Sequence, residues 1–247
     1  MEKTVTAVIA AHNEQEYIES CLISIMEQTG KPSQVIVVLD RCTDNTPNIA
    51  KKFPVQVIEK LTKQWQNSYA ENLEIARRKA EGEYYAIADA DVTLDRDYFE
   101  KTTSRFSNEI AAVSGRMVTA SPGLLGRVMR LWERTYYFSP FRTGLPAGCA
   151  LVVKKEFLDE IGGFEDLPAP DTYLHQKALE RGLRFMFIDD TKVYHHRKLT
   201  LRLIVRAQID YGRRRRRLGI SFWKTLLHAI FRLRPFVLYG WLKGTNA

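Results

Sequence analysis

Apolar, strand-like runs alternate with helix-like patterns through the first half of the chain, and this alternation restricts the fold more than any other feature. Runs typical of strands occupy residues 4–11, 34–39, 55–58 and 84–88. Strands that alternate with helices form βαβ units and a parallel sheet. Ligands of such sheets bind beyond the carboxyl ends of the strands. The polar residues at those ends are therefore the candidate functional residues.

Three predicted strands end in polar sequences. His12, Asn13 and Glu14 follow the first strand, the segment DRCTDNT (40–46) follows the second, and DADVT (89–93) follows the fourth. Because parallel strands bring their carboxyl ends to one edge, these segments are predicted to lie together. A helical pattern follows the first strand, and Asn13 is its predicted N-cap.

The spacing of Asp89 and Asp91 places their side chains on the same side of an extended chain. Two neighbouring carboxylates repel each other unless one is protonated or a cation lies between them. The pair therefore suggests a metal site, although an isolated Asp-x-Asp is also compatible with a solvated strand end.

Charge is distributed unevenly along the 247 residues, whose formal net charge is +8. From residue 197 onward, thirteen Lys and Arg residues stand against one acid, Asp210. A mildly acidic body with a basic tail suggests that the tail meets an anionic membrane, a nucleic acid or a phosphorylated substrate. The length allows one sizeable α/β domain with a modest appendage.

The three cysteines, Cys21, Cys42 and Cys149, have no C-x-x-C spacing and predict neither a disulfide framework nor a zinc site. The N-terminus lacks the pattern of a signal peptide, and no run approaches the roughly 20 apolar residues of a spanning helix. These features predict a cytoplasmic protein, with peripheral contact to the cytoplasmic face of a membrane left open.

Five segments in a particular order resemble the family 2 glycosyltransferases of the GT-A fold: VIAAHNE, VVLDRCTDNT, EGEYYAIADAD, GCALVVKKEFLDEIGGFED and PDTYLHQKALERG. The resemblance extends from Val5 to about His196, and a weaker similarity continues to Arg217. It implies an α/β, Rossmann-like catalytic domain over residues 1–198, with a mixed, mainly parallel sheet between helices. Residues 1–106 would form the nucleotide-sugar half and 107–198 the acceptor half. Residues 199–247 would form a basic, amphipathic helical appendage.

The resemblance also implies an inverting enzyme whose donor is a UDP- or GDP-sugar and whose cofactor is Mg²⁺ or Mn²⁺. Asp40 would hold the base, Asp89 the ribose or a metal-bound water, and Asp91 the metal, which lowers the charge on the leaving diphosphate. The full set of expected donor contacts is Ala11, His12, Asn13, Glu14, Asp40, Asp44, Asp89, Ala90 and Asp91. His195 and His196 are expected as additional metal ligands.

Asp171 is the candidate general base by the same resemblance, although Pro170 stands where that family often has a glutamate. The alternative interpretation is that Asp171 is the N-cap of the helix that begins near Pro170. Further expected contacts to an acceptor or a phosphate are Gly148, Gln208, Arg213 and Arg214. The acceptor itself stays undefined and could be lipid-linked.

Two other functions fit parts of the sequence. Asp89 could be the nucleophile and Asp91 the acid/base of a haloacid-dehalogenase-like phosphatase, with Asp189 and Asp190 as its later metal ligands. That family usually places its nucleophile on the first strand, which counts against this interpretation. The arginine run 213–217 could bind nucleic acid, but it lacks a recognisable RNA-binding motif.

An apolar stripe recurs at helical spacing in the C-terminal segment: Trp223, Leu226, Leu227, Ile230 and Phe231. The stripe is typical of a basic helix that lies in a membrane interface. It is equally typical of a helix that packs on the catalytic body or on another subunit. Membrane contact through this segment is therefore an expectation, as is an oligomer, whereas a nucleic-acid partner is not expected.

Overall fold

The computed structural model describes residues 3–137, 148–217 and 219–244. Eight strands and ten helices are defined within these ranges. In chain order they are β1 (Val5–Ala11), α1 (Ile18–Met26), β2 (Gln34–Asp40), α2 (Thr46–Ala50), β3 (Gln56–Lys60), α3 (Ser68–Arg77), β4 (Tyr84–Asp89), β5 (Val92–Leu94), α4 (Tyr98–Ser104), β6 (Ile110–Thr119), α5 (Gly123–Tyr137), β7 (Ala150–Lys154), α6 (Lys155–Glu160), α7 (Pro170–Glu180), β8 (Arg184–His195), α8 (Leu201–Arg217), α9 (Phe222–Phe231) and α10 (Pro235–Lys243).

The strands form one mixed sheet in the order β3-β2-β1-β4-β7-β6-β8-β5. Strand β1 pairs in parallel with both β2 and β4, and β2 pairs in parallel with β3. Strand β7 is antiparallel to β4 and β6, β8 is parallel to β6, and β5 is antiparallel to β8. The predicted mixed, mainly parallel sheet is confirmed, because most strand pairs are parallel.

Alternate residues of the central strands enter apolar clusters on opposite faces of the sheet. In β2, Val37 packs in one cluster, whereas its neighbours Ile36 and Val38 pack in the other. The first cluster includes residues of α1, and the second includes residues of α3 and α7. Since side chains alternate along a strand, helices on both faces account for the continuous apolar runs seen in the sequence.

The chain divides into two compact units. The first comprises Met1–Ala120 and Phe141–His196, and the second comprises Ser121–Pro140 and Arg197–Ala247. The second unit combines residues 121–140 with the C-terminal helices, whereas the sequence predicted an appendage of residues 199–247 alone. Within the second unit, the Ser121 hydroxyl donates a hydrogen bond to the Arg197 carbonyl.

Helices α8 and α10 of the second unit approach each other at two glycines. A Cβ atom on Gly212 would lie 2.0 Å from the carbonyl oxygen of Val237, and one on Gly240 would lie 2.1 Å from that of Ile209. Only glycine allows backbones to pack this closely. None of the helices described here combines the length and apolarity that would allow it to cross a membrane.

Candidate functional site

The carboxyl ends of β1, β2 and β4 lie side by side at one edge of the sheet, because β1 is parallel to both neighbours. The Nδ1 atom of His12 lies 2.6 Å from the backbone oxygen of Asp40, which joins the first two strand ends directly. The third end contributes Asp89, whose backbone oxygen lies 3.5 Å from Sγ of Cys21. The three polar segments identified in the sequence therefore meet, with Ala11 and Ala90 buried beneath them.

The loop after β1 is fastened to the loop after β2 by side-chain hydrogen bonds. Asn13 Oδ1 accepts from the Thr43 amide at 2.8 Å, and Asp44 Oδ2 accepts from the Gln15 amide at 3.1 Å. Asn13 has a φ of 56°, a conformation that Asn adopts more readily than most residues. It is not the N-cap of α1 as predicted, since that helix begins only at Ile18.

The expected donor contacts in these loops are thus held in place by one another. The amide of Glu14 donates to Thr46 Oγ1 at 2.8 Å, and the Thr46 amide donates to Asp44 Oδ1 at 3.0 Å. Burial raises the pKa of Asp44, but hydrogen bonds from Thr46 and Gln15 outweigh this effect and lower it. Asp44 therefore stays ionised as a loop-organising carboxylate.

Asp40 is buried at the end of β2, and its two carboxylate oxygens accept from several groups. Oδ1 lies 2.7 Å from Arg41 Nε and 3.4 Å from Lys60 Nζ. Oδ2 accepts from Ser68 Oγ at 2.5 Å, from Asn72 Nδ2 at 3.2 Å and from Arg41 Nη2 at 3.2 Å. Burial is the largest influence and raises the pKa of Asp40, yet these hydrogen bonds and the Lys60 charge together hold it well below its usual range.

Asp89 accepts a 2.8 Å hydrogen bond at Oδ1 from the phenol of Tyr69. Tyr69 lies in the first turn of α3, where the side chain of Asn67 caps the helix by accepting from the Tyr69 amide at 3.1 Å. Burial and the adjacent Asp89 charge raise the pKa of Tyr69, so the phenol keeps its proton. Tyr69 was not among the residues predicted from the sequence, although the Asn-Ser-Tyr start of α3 is a signal that could have indicated it.

Asp91 is buried, and the pairing of β5 with β8 brings His195 to it. Asp91 Oδ2 lies 3.5 Å from His195 Nε2. One ligand atom each from Asp89, Asp91 and His195 lies within 4.8 Å of the other two. Two carboxylate oxygens and an imidazole nitrogen are a donor set that suits Mn²⁺ and is compatible with Mg²⁺. The residues therefore fit a divalent metal ion.

His196 points elsewhere, because successive residues of an extended chain face opposite ways. Its Nε2 lies 2.8 Å from the hydroxyl of Thr93, while its amide donates to the Asp91 carbonyl at 2.9 Å. Burial lowers the pKa of His196, although the charge of Asp91 opposes this. Of the two histidines expected as metal ligands, the structure brings His195 rather than His196 to the aspartates.

Asp171 is exposed in the first turn of α7 and lies against Gly148. A Cβ atom on Gly148 would lie 2.9 Å from Asp171 Oδ2, so the glycine leaves space for this carboxylate. Ala169 is the N-cap of α7, and the alternative role of Asp171 as the cap is therefore wrong.

The thiol of Cys149 lies among the acidic residues of this region. Burial raises the pKa of Cys149 most, and the negative charges of Asp89, Asp91 and Asp171 each raise it further.

The remaining expected contacts, Gln208, Arg213 and Arg214, lie on α8 in the second unit. Arg213 Nη1 pairs with Asp210 Oδ1 at 3.3 Å, and Arg214 is exposed. A role of these residues in the site stays a prediction.

GT-A glycosyltransferases are among the solved structures that share this fold. The mannosyltransferase PcManGT from Pyrobaculum calidifontis, in complex with GDP-Man and Mn²⁺, superposes with a TM-score of 0.65 at 23% identity. The match covers 96% of this chain and 68% of that one. Residues 1–349 of TarS from S. aureus, in complex with UDP-GlcNAc, give a TM-score of 0.62 at 16% identity, covering 84% and 66% of the two chains. The predicted GT-A fold is confirmed.

The chain belongs to glycosyl transferase family 2, whose family model matches residues 6–154. Among curated proteins, EpsH of Bacillus subtilis (strain 168), named as a putative glycosyltransferase, is 31% identical over 103 residues. Glycosyltransferase GlyA of Streptococcus pneumoniae serotype 4 is 29% identical over 104 residues. These matches cover 39% and 40% of this chain but only 28% and 14% of EpsH and GlyA.

Proposed function

We propose that this protein transfers a sugar, with inversion, from a UDP- or GDP-sugar to an acceptor hydroxyl or lipid phosphate. The observation that carries the proposal is the placement of Asp89, Asp91 and His195 within 4.8 Å of one another, at the sheet edge where Asp40 also lies. PcManGT and TarS, which share the fold, were solved with nucleotide sugars. Family membership supports the same chemistry.

Asp91 and His195 would bind the divalent ion directly, and Asp89 would complete its ligand set or hold the donor's ribose. The bound ion supplies positive charge to the diphosphate as it leaves. Tyr69 keeps Asp89 in one orientation through its hydrogen bond to Oδ1.

Asp171 would act as the general base. Inversion requires that the acceptor oxygen attack the anomeric carbon from the side opposite the diphosphate, as the bond to the diphosphate breaks. Asp171 would take the proton of the acceptor hydroxyl in this step. Its exposure suits a group that must meet an incoming acceptor, and Gly148 beside it leaves space for the approach.

The surroundings of the acidic pair on β8 count against the phosphatase alternative. Asp189 pairs with Arg116 at 3.4 Å, and Asp190 pairs with Arg105 at 2.9 Å. The cluster that could hold a metal ion combines Asp89 and Asp91 with His195 instead. Both acids that the phosphatase would use for its metal are thus engaged by arginines.

The second unit would hold the enzyme at an anionic membrane, near a lipid-linked or otherwise membrane-bound acceptor. Helix α9 exposes Trp223, Leu227, Ile230 and Phe231, whereas Thr225 and Ala229 form its buried face. An apolar stripe that faces solvent on a basic unit is typical of a helix that lies in a membrane interface.

The donor and metal roles are tested by measuring transfer and nucleotide release with a panel of sugar nucleotides, with and without a chelator. We expect activity to require Mn²⁺ or Mg²⁺ and the Asp91→Asn variant to lose at least about 10²-fold in turnover. Changes to groups that only support a metal ligand already cost about 10- to 100-fold. The matched control is Asp190→Asn, which removes an exposed carboxylate outside the cluster.

Equal donor binding with and without chelator would contradict the metal role. Release of inorganic phosphate from small phosphomonoesters, with a covalent phosphate on Asp89, would favour the phosphatase.

A further inference from the structure

The carboxylate expected to read the donor base is already engaged by a neighbouring side chain. The guanidinium of Arg41 donates from Nε to Asp40 Oδ1 at 2.7 Å and from Nη2 to Oδ2 at 3.2 Å. This is a two-bond fork in which parallel N–H groups meet both oxygens of one carboxylate. The Arg41 side chain is 39% exposed, whereas that of Asp40 is 4% exposed.

Asp40 has other donors besides Arg41, although Arg41 Nη2 also donates to the hydroxyl of one of them, Ser68, at 3.3 Å. Ser68 and Asn72 donate to Oδ2, and Lys60 lies 3.4 Å from Oδ1. Lys60 is itself buried and pairs with Glu71 at 2.9 Å. If Arg41 swung away, Asp40 would still be oriented by its hydrogen bonds from Ser68 and Asn72, and it would share the charge of Lys60 with Glu71.

The backbone of Arg41 is fixed, so that only its side chain needs to move. Arg41 has a φ of 48°, and its amide donates to the Lys60 carbonyl at 2.8 Å. A left-handed conformation at a non-glycine residue persists when its surroundings hold it. The side chain is long and partly exposed, so it is the part of Arg41 that can move into solvent.

The pattern of the fork matches one nucleotide base better than the others. Guanine carries two N–H donors, N1–H and the N2 amino group, side by side on one edge. Uracil offers a single N–H between two carbonyl oxygens, and adenine and cytosine each place an acceptor beside their amino group. A carboxylate that loses both hydrogen bonds of an arginine fork recovers both from guanine, but only one from uracil.

We propose that Arg41 occupies the base-recognition carboxylate of the free enzyme and that the guanine of a GDP-sugar displaces it. This inference rests on the proposed function and narrows its donor to guanosine diphosphate sugars. A base that leaves one oxygen of Asp40 facing a carbonyl does not replace the bonds lost with Arg41, and the site therefore discriminates against uracil.

Arg41 then acts as an internal competitor whose removal increases donor affinity. The apparent dissociation constant of a ligand rises in inverse proportion to the fraction of protein that is ready to bind it. If Arg41 covers Asp40 in nine of ten free molecules, its removal tightens nucleotide binding about tenfold.

The experiment is a calorimetric titration of the full chain with GDP and with UDP in the presence of Mn²⁺. The test variant is Arg41→Asn, because Asn tolerates the positive φ at this position and cannot form the fork. Arg41→Lys keeps the charge without the fork and serves as a second test variant. The matched control is Arg78→Asn, which removes an exposed arginine that pairs with Glu74 on α3.

We expect the wild-type protein to bind GDP more tightly than UDP. Arg41→Asn should tighten GDP binding about tenfold, Arg41→Lys should also tighten it, and Arg78→Asn should leave it unchanged. Circular dichroism melting curves establish that each variant is folded before titration.

Three results would overturn the inference, and they differ in whether the proposed function is refuted with it. Weaker or unchanged GDP binding by both Arg41 variants would make Arg41 a donor contact or a bystander and leave the proposed function standing. Tighter wild-type binding of UDP than of GDP would refute the guanine assignment alone. Binding of neither nucleotide by the wild-type protein would refute the proposed function together with the inference.

Discussion

The phenol of Tyr69 and the carboxylate of Asp89 are joined by a 2.8 Å hydrogen bond that links the start of α3 to the end of β4. Tyr69 keeps its proton because burial and the negative charge of Asp89 raise its pKa. If Asp89 meets the donor or its metal ion as proposed, Tyr69 is the residue that positions this carboxylate.

Replacement of Tyr69 by Phe should therefore weaken donor binding without unfolding the protein. A hydrogen bond to a charged group contributes about 1.5 to 3 kcal/mol, and we expect the KM for the sugar nucleotide to rise about tenfold, with a smaller change in kcat. Steady-state kinetics at saturating metal measure both constants. Tyr84→Phe, the same change at the opposite end of β4, is the control, and an equal effect there would remove the special role of Tyr69.

Asp171→Asn should leave the affinity for the donor nearly intact and lower turnover by a factor on the order of 10² to 10⁴, the usual contribution of a positioned general base. The variant keeps the size of the side chain but cannot accept the proton. Donor titration and single-turnover kinetics separate the two effects. Unchanged turnover with a lower melting temperature would show instead that Asp171 serves the helix alone.

Gly148→Ala tests the role of the Asp171 carboxylate through the residue that lies against it. Its new methyl group would lie 2.9 Å from Asp171 Oδ2, closer than ordinary van der Waals contact. We expect turnover to fall while the donor KM stays within about twofold, because the methyl group displaces the base and spares the binding of the nucleotide. A rise in the donor KM with unchanged kcat would assign Gly148 to donor binding.

His228 should make the stability of the second unit depend on pH. Burial and the nearby charges of Arg215, Arg234 and Arg232 lower its pKa to about 4, below the ordinary 6.5. Between these values the unfolded chain binds more protons than the folded one, so the free energy of unfolding falls as pH drops from 6.5 towards 4.

The comparison that isolates this effect is between the wild-type protein and His228→Phe, which keeps a ring beside Tyr211, 5.4 Å away. Urea unfolding at pH 7.5 and at pH 5 gives the loss of stability for each. Between pH 7.5 and pH 5, we expect the free energy of unfolding to fall by about 1 kcal/mol more for the wild-type protein than for His228→Phe. This difference is smaller than the full pKa shift implies, because solvent screens a partly exposed ring. Identical losses would mean that His228 does not titrate in this window.

The apolar stripe of α9 should be required for binding to anionic vesicles. Each large apolar side chain that leaves water contributes about 1.5 to 3 kcal/mol, and each nearby Lys or Arg adds about 1 kcal/mol. The double change Trp223→Glu and Phe231→Glu should therefore reduce vesicle sedimentation at least about tenfold. High salt should weaken the remaining binding, which is electrostatic. Leu61→Glu, at an exposed apolar residue of the first unit, is the matched control.

Equal sedimentation of the double variant and the control would rule out α9 as the membrane contact. Preferential binding of the wild-type protein to RNA, lost almost completely at high salt, would revive the nucleic-acid alternative.

The sequence by itself determined the first four strands and the edge of the sheet at which their polar ends lie. Hydrophobic periodicity is a local signal that identifies the strands. Because parallel strands end at one edge, it also predicts that Asp40 and Asp89 lie at the same edge, without knowledge of any contact. The same reasoning failed for Asn13, because a polar residue before a helical pattern can fasten a loop as readily as it caps a helix.

Only the tertiary structure decided which groups touch. Tyr69 reaches Asp89 and His195 reaches Asp91 across long stretches of chain, through strand register and helix packing that no local pattern encodes. The register of β8 against β5 directs His195 to the aspartates and His196 to Thr93. Arg41 is adjacent to Asp40 in sequence, yet its hold on that carboxylate follows from a left-handed backbone turn. Contacts of this kind depend on backbone path and side-chain rotamer, which the packed fold sets as a whole.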